Sequence, residues 1–271
     1  LFVLCFLATL PHDLLLQRAL QGATAGTPFR IETEGGRLGW TLAYAIDSLR
    51  VRARDAEAEP LLLAEALRFS PSRLGLLRGS PYPLEIGASL YGGTLHGTVD
   101  PRAASFRVDA TLEDVDLARY TGLRPLIDGT VRGRLEAAVA LDGAGRGPAA
   151  ATGSVTLRLP GLALEGTKVR GITIPDLHFS DVHLNGAAKN GRLEISEFVA
   201  NGEEIVVRGD GNVLLRDPLD SSVMSLDLVV TPAAGAPDGL RLAVSMLPGT
   251  SAEGGARRIG IVGTIGRPTM R

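Results

Sequence analysis

Hydrophobic and polar residues alternate with a period of two over most of the chain after residue 28. From Phe106 to Glu113, apolar side chains alternate one for one with charged or hydroxyl side chains. Successive side chains of a β-strand point to opposite faces, so this period predicts strands with one apolar face and one wet face. The same alternation begins again at Phe29, Leu49, Leu84, Val155, Leu193, Leu240 and Ile259. The chain is therefore predicted to be mainly β and antiparallel.

Glycine, proline, asparagine and aspartate separate these runs and predict tight turns between neighbouring strands. The predicted turn pairs are Gly92-Gly93, Asp100-Pro101, Asp142-Gly143, Asn185-Gly186, Asn190-Gly191 and Asn201-Gly202. Their spacing favours a meander, in which strands that are adjacent in sequence also pair in space. The run from Leu240 to Met246, with Leu242 and Val244 between, is predicted to be one of the last strands.

Helical periodicity is weak beyond the N-terminus. Two short helical segments are predicted, one from Ser70 to Leu77 with Ser70 or Ser72 as its cap, and a single turn from Asp116 to Tyr120. A sheet with one apolar face needs a cover, and the sequence offers few helices to provide one. We therefore predict an elongated, curved antiparallel meander. It either folds onto itself as a half-pipe, open barrel or sandwich, or presents its apolar face to something from outside.

The first 22 residues differ from the rest of the chain. Residues Leu1 to Leu10 carry no charge, and a ten-residue helix reaches about 15 Å, half of the ~30 Å hydrocarbon core. We expect residues 1–22 to be a truncated N-terminal membrane anchor and a juxtamembrane helix that stops at Gly22. A signal peptide and a buried strand are the alternatives. Residues 23–271 are predicted to be one β domain, with a soft joint near residues 143–152.

The composition narrows the possible partners. Hydrophobic residues make up 45% of the 271 residues, the net charge is −2, and aromatic residues are only 4%. The chain therefore lacks both the basic excess and the stacking rings of a nucleic-acid-binding surface, and no nucleic acid is expected as a partner. The single cysteine, Cys5, excludes a disulfide framework.

No motif in the sequence predicts a catalytic, cofactor or metal site. His178 and His183, with Asp176 and Asp181 nearby, are the best metal candidates. Their odd separation, however, places the two histidines on opposite faces of a regular strand. His96 is predicted to face solvent. Nucleophile elbows and phosphate-binding loops are absent from the sequence. We therefore expect a non-enzymatic protein with no catalytic residues, no cofactor and no bound metal.

Several stretches resemble a known family. They are residues 66–100 (ALRFSPSRLGLLRGSPYPLEIGASLYGGTLHGTVD), residues 120–143, residues 190–230, and the closing GTIGRPTMR at 263–271. Together they resemble the type II secretion system protein N family of diderm bacteria, which is similar to the AsmA-like group of elongated β-proteins. The resemblance implies one N-terminal inner-membrane helix, a periplasmic β domain and a role in or near the secretion machinery. It implies no catalytic residue.

Two functions follow as hypotheses. The first is a single-pass inner-membrane protein, mostly periplasmic, that serves type II protein secretion through contacts with other secretion components. The alternative is an AsmA-like groove that binds or bridges lipid between the inner and outer membranes, with phospholipid on its apolar face. An apolar surface beyond a few hundred Å² usually marks a binding site. A closed sandwich favours the first hypothesis, and an open half-pipe favours lipid.

Overall fold

The structure, a computed structural model, confirms a mainly β chain. It describes residues 29–39, 43–53, 62–72, 82–102, 105–120, 128–144, 150–169, 172–173, 175–216, 221–265 and 267–271. These residues form seventeen strand segments, one α-helix and two short 3-10 turns. The predicted anchor at residues 1–22 lies outside them, as do residues 145–149 at the centre of the predicted joint.

The strands are mostly seven to thirteen residues long. The first eight are β1 (Phe29–Leu38), β2 (Tyr44–Ala53), β3 (Leu62–Pro71), β4 (Leu84–Leu90), β5 (Gly93–Arg102), β6 (Ser105–Asp116), β7 (Asp128–Arg132) and β8 (Arg134–Ala144). The others are β9 (Ala151–Val169), β10 (Ile172–Thr173), β11 (Leu177–Lys189), β12 (Arg192–Gly202), β13 (Ile205–Leu214), β14 (Val223–Pro232), β15 (Thr250–Ser251), β16 (Arg257–Thr264) and β17 (Arg267–Met270). The helix, α1, spans Asp238–Met246, and the 3-10 turns span Leu117–Arg119 and Glu253–Gly255.

All strands belong to one antiparallel sheet whose main path follows the chain. β1 to β6 pair in order, β6 pairs with β8, and the path continues through β9, β11, β12, β13, β14, β16 and β17. β7 and β10 pair with β9 beyond the ends of β8 and β11, and β15 shares the outer edge of β16 with β17. No pairing joins β1 to β15 or β17 in the described ranges, so the sheet is open. The predicted antiparallel meander is thus confirmed.

Two hairpins have the tight turns that the sequence predicts. Asn190-Gly191 joins β11 to β12 with φ of 50° and 75°, and Tyr91-Gly92 joins β4 to β5 with φ of 49° and 86°. Positive φ at both central residues matches the twist of the flanking strands in such hairpins. The second turn starts one residue before the predicted Gly92-Gly93 pair.

Three other predicted turns are wrong. Asp100-Pro101, Asp142-Gly143 and Asn185-Gly186 lie inside β5, β8 and β11, because cross-strand pairing continues past each of them. Asn201-Gly202 ends β12, and the bend follows it at residues 203–204. Aspartate or asparagine followed by proline or glycine therefore permits a turn without requiring one, as residues 100–101, 142–143 and 185–186 show.

The two predicted short helices have different outcomes. The turn at Asp116–Tyr120 is confirmed as a 3-10 turn, with the Asp116 carboxylate accepting a hydrogen bond from the Ala118 amide at 3.0 Å. Ser70 is not a helix cap, because it lies in β3 and pairs with Glu85 of β4. The remainder of that predicted helix, from residue 73 onward, lies outside the described residues.

The prediction of a strand from Leu240 to Met246 is wrong, because this segment is α1. Leu240 and Val244 are one helical turn apart and are only 3% and 2% exposed, whereas Leu242 and Met246 are 57% and 67% exposed. A strand would have placed all four on one face. Pro237 precedes the helix and Pro248 follows its last turn, as helix boundaries favour.

Helix α1 covers the apolar side of the C-terminal strands. Leu240 and Val244 belong to a buried cluster whose other members are Leu177, Phe179, Val182, Ala200, Ile205, Val230, Ala236 and Ile259. Two arginines hold the helix ends: Arg241 donates to the carbonyl of Ala234 at 2.6 Å, and Arg257 donates to that of Leu247 at 2.8 Å. A second buried cluster comprises Ile46, Ala64, Leu67, Ala88, Leu90 and Val115 of β2 to β6.

Several strands carry one extra residue relative to a neighbour. Ala66 in β3 and Asp114 in β6 adopt positive φ at these bulges, as does Gly166 in β9. Further bulges fall at Ser180 in β11 and next to Ser196 in β12. Each bulge bends its strand and shifts the alternation of side chains between the faces.

Candidate functional site

The inner face of the sheet, defined as the face that carries both buried clusters, is apolar across ten strands. Cross-strand register aligns its residues in three rows that run from β4 to β16. The first row is Leu84, Val99, Val108, Leu141, Gly153, Ala188, Leu193, Val213, Met224 and Gly263. The central row is Ile86, Gly97, Ala110, Val139, Val155, Gly186, Ile195, Gly211, Leu226 and Ile261. The third row is Ala88, Leu95, Leu112, Ala137, Leu157, Leu184, Phe198, Gly209, Leu228 and Ile259.

No residue of these three apolar rows carries a polar side chain. Neighbouring strands lie about 4.8 Å apart, so nine steps from β4 to β16 give rows about 43 Å long. Rows two residues apart along a strand are about 7 Å apart, and the three rows together therefore span about 600 Å² in projection.

Most of the row residues are neither buried in a core nor freely exposed. In each row, eight of the ten residues are half-buried. The two buried clusters flank the rows rather than cover them, since their principal members lie at or beyond the third row. In the part of the chain that the structure describes, α1 is the only helix against this face, and it packs on the cluster beyond that row. The apolar rows are thus left partly accessible.

Three glycines leave the central row without side chains on three of its strands. Gly97, Gly186 and Gly211 replace side chains in it, and a methyl group at Gly211 would lie 2.8 Å from the Cα of Leu226. Because that distance is shorter than a normal carbon–carbon contact, a side chain at Gly211 would require the two strands to separate. Glycine therefore allows close strand approach and leaves a recess above the backbone.

The predicted separation of His178 and His183 onto opposite faces is wrong. Leu177, Phe179 and Val182 all join the same buried cluster, because the bulge at Ser180 reverses the alternation between them. Both histidines consequently lie on the outer, polar face of the sheet. They still do not converge, since each contacts its own carboxylates.

His178 is tied to the bend between β12 and β13. The Glu204 carboxylate accepts a hydrogen bond from the His178 amide at 3.1 Å, and its other oxygen lies 3.3 Å from Nδ1. Burial of Glu204 opposes its ionisation, but these hydrogen bonds outweigh it and leave the pKa of Glu204 lowered. The contact fastens β11 to the neighbouring hairpin.

A second polar network joins β9, β11 and β12. Arg158 donates to Asp181 at 3.0 Å, and Asp181 also contacts Nδ1 of His183 at 2.9 Å. The hydrogen bonds from Arg158 and His183 lower the pKa of Asp181. On the far side of the ring, Nε2 lies 3.7 Å from Glu197, which accepts a hydrogen bond from Asn185 at 3.0 Å. This arrangement cross-links three strands.

The remaining candidates from the sequence stand as follows. His96 is exposed, as predicted. Within the described ranges, no group of three histidine, cysteine, aspartate or glutamate side chains could hold a metal ion. Cys5 lies outside those ranges. Sequence reasoning identified the apolar faces of single strands but missed the continuous rows, whose only local signal is the placement of glycines at alternate positions.

Comparisons with known proteins find no relative of this chain. No family model, no curated protein and no solved structure matches the chain. The resemblance to the type II secretion system protein N family therefore stays a prediction. None of the described helices is both long and apolar enough to cross a bilayer.

Proposed function

We propose that the protein is a non-enzymatic lipid-binding protein whose three apolar rows hold hydrocarbon chains. The observation that carries this proposal is the uninterrupted apolar character of the rows across ten strands, combined with their partial exposure. A purely structural sheet gains nothing from an apolar surface of this length that is left half-covered, since exposed apolar area costs free energy. A hydrocarbon ligand removes that cost.

The magnitudes are sufficient for binding. A chain of about sixteen carbons that loses half of its exposure gains about 6 kcal/mol, at about 0.8 kcal/mol per fully buried CH₂. Two such chains double that gain before the cost of association is subtracted. Rows about 43 Å long exceed the ~15 Å depth of one bilayer leaflet, so they accommodate more than one chain end to end.

The bulges support a curved inner face. Those at Ala66, Asp114 and Gly166 fall close to or beyond the third row, on the side of the buried clusters. Because each bulge bends its strand, a series of bulges on one side of the rows favours a sheet that curves around them. A half-pipe of this kind contacts a hydrocarbon chain on more than one side.

The cellular setting forms part of the proposal. The uncharged segment from Leu1 to Leu10 supports an inner-membrane anchor, and the family resemblance supports a periplasmic domain. A tethered apolar trough would receive lipid from the membrane that anchors it. The alternative role, protein contacts within type II secretion, rests on that resemblance alone and stays a prediction.

Native mass spectrometry tests the proposal. The full chain is released from cells without detergent, and its bound mass is measured, with extracted lipids identified separately. We expect phospholipid bound in a substantial fraction of molecules. Repeated preparations that contain only the mass of the polypeptide would overturn lipid binding, and co-purifying secretion components in such preparations would favour the alternative role.

A further inference from the structure

The outer face of the C-terminal strands carries a shallow groove of about 980 Å³. It is lined mainly by outward residues of β12, β13, β14 and β16, among them Arg208, Asp210, Asp227, Val229 and Arg258. The inner-face neighbours of these residues belong to the apolar rows and the buried cluster. The groove is thus on the opposite side of the sheet from the proposed lipid site.

Charges in the groove form two parallel lines of opposite sign. Arg208 and Arg258 flank Val229 in one line across β13, β14 and β16, and in the adjacent line Asp210 lies directly opposite Asp227. All four charged side chains are exposed. Like charges directly opposite each other on neighbouring strands destabilise a sheet.

These four side chains make no ion pair or hydrogen bond with any other described residue. Elsewhere on the outer face, several carboxylates are neutralised within the chain. Glu34 lies 2.9 Å from Arg50, for example, and Asp114 lies 2.8 Å from Arg134. The groove therefore differs from those regions in carrying two complementary lines of charge that the single chain leaves unmatched.

We propose that this groove is the contact surface of a dimer, in which the same face of a second copy lies against it. Sheets that pack face to face lie about 10 Å apart with their strands roughly aligned. A two-fold axis in the interface, perpendicular to the strands and midway between the two lines, brings each arginine line over the aspartate line of the other copy. Arg208 then lies over Asp210 of the second copy, and Arg258 reaches Asp227 of the second copy.

The pattern favours a second copy over another partner because it is self-complementary. Each contact occurs twice by symmetry, so one chain supplies all four ion pairs. The groove spans only four strands and its charged side chains are exposed, whereas a standard stable interface buries roughly 800 Å² per partner. We therefore expect a weak dimer that forms at high concentration and dissociates as salt is raised.

Charge reversal provides the test. Sedimentation velocity of the full chain at about 100 µM is compared at about 50 mM and 500 mM salt. We expect a dimer at low salt, at least a tenfold weakening in R208D and in D210R, and restoration of the dimer when these two variants are mixed in equal amounts. In a mixed dimer, positions 208 and 210 are both aspartate in one copy and both arginine in the other, so opposite charges face each other at both symmetry-related contacts. In a dimer of either variant alone, the residues at positions 208 and 210 that face each other carry like charges.

Arg107 and Asp109 on β6 supply the matched control. They have the same residue types, spacing and outer face but lie outside the groove. R107D and D109R should dimerise like the unmodified chain. A chain that stays monomeric at low salt, a dimer unaffected by R208D and D210R, or a mixture that fails to restore it would each overturn the proposal. Circular dichroism establishes that every variant keeps its strand content.

Discussion

Val139 on β8 lies directly opposite Val155 on β9, in the central apolar row of the inner face. The adjacent cross-strand pair, Ala138 and Thr156, lies on the outer face of the same two strands, and both of its residues are exposed. The two pairs share strands and register and differ in the face they occupy. They therefore separate an effect of the inner face from a general effect of changing these strands.

The first prediction uses this contrast. Replacing Val139 and Val155 together by asparagine should reduce lipid phosphate per protein several-fold after detergent-free purification. An amide placed against hydrocarbon without a partner costs about 1–3 kcal/mol. The outer-face variant A138N/T156N should retain the lipid content of the unmodified chain. Equal lipid content in both double variants would show that lipid does not lie on the central row.

A second prediction concerns α1. Leu240→Ala should lower the free energy of unfolding by about 2–5 kcal/mol, because it removes a buried side chain from the cluster beneath the helix. Leu242→Ala, two residues away and exposed, should change it by less than about 0.5 kcal/mol. Urea unfolding measures both. Similar losses in the two variants would contradict the helix and favour a strand at this position.

The third prediction concerns how the stability of the fold changes in acid. The pKa of Asp181 is lowered by its hydrogen bonds with Arg158 and His183, so its contribution to stability is present above its unfolded pKa and disappears as the pH falls through the lower folded value. Asp181→Asn should thus be less stable than the unmodified chain at pH 7, by a small amount because Arg158 is largely exposed. The difference should shrink when the pH is lowered from 7 to about 3, below the unfolded pKa of aspartate, and vanish only below the lower folded pKa.

The control for this prediction is Asp109→Asn, which alters an exposed outer-face aspartate with no ion pair to another described residue. Its denaturant midpoint should follow that of the unmodified chain at both pH values. A difference between D181N and the unmodified chain that persists unchanged in acid would mean that the network does not depend on the Asp181 charge.

A fourth prediction concerns the hairpin between β4 and β5. The Tyr91 hydroxyl accepts a hydrogen bond from the Leu63 amide at 2.8 Å, and burial raises the pKa of Tyr91. Tyr91→Phe leaves that amide without its acceptor and should lower the free energy of unfolding by about 1–3 kcal/mol. Amide exchange at Leu63 should also become faster.

Tyr120 offers the comparison, since its ring meets that of Tyr91 edge to face at 5.4 Å. Tyr120→Phe keeps this ring contact and should leave the exchange of the Leu63 amide unchanged. If both variants accelerate exchange equally, the hydrogen bond to the Tyr91 hydroxyl is not what protects the Leu63 amide.

The alternation of side chains predicted most strands because it is a local property. The run from Phe106 to Leu112, for instance, lies in β6 with its apolar residues on the inner face. The meander order followed from the short spacing between such runs. Neither inference needed contacts between residues distant in the sequence.

The alignment of strands into rows could not be predicted in this way. Register depends on pairing across the whole sheet, and bulges such as that at Ser180 change which residues share a face. The four apolar residues from Leu240 to Met246 fit both a period of two and, through Leu240 and Val244, a helical turn. Pro237 and Pro248 were the local signals that favoured the helix.

The central claim, that hydrocarbon chains lie on the inner face, is tested most directly by photo-crosslinking in living cells. A photoreactive amino acid replaces Val139 in one strain and Ala138 in another, and adducts are identified by mass spectrometry after irradiation. The account predicts phospholipid adducts from position 139 and none from position 138. Adducts to protein alone at position 139, or equal lipid labelling at both positions, would contradict it.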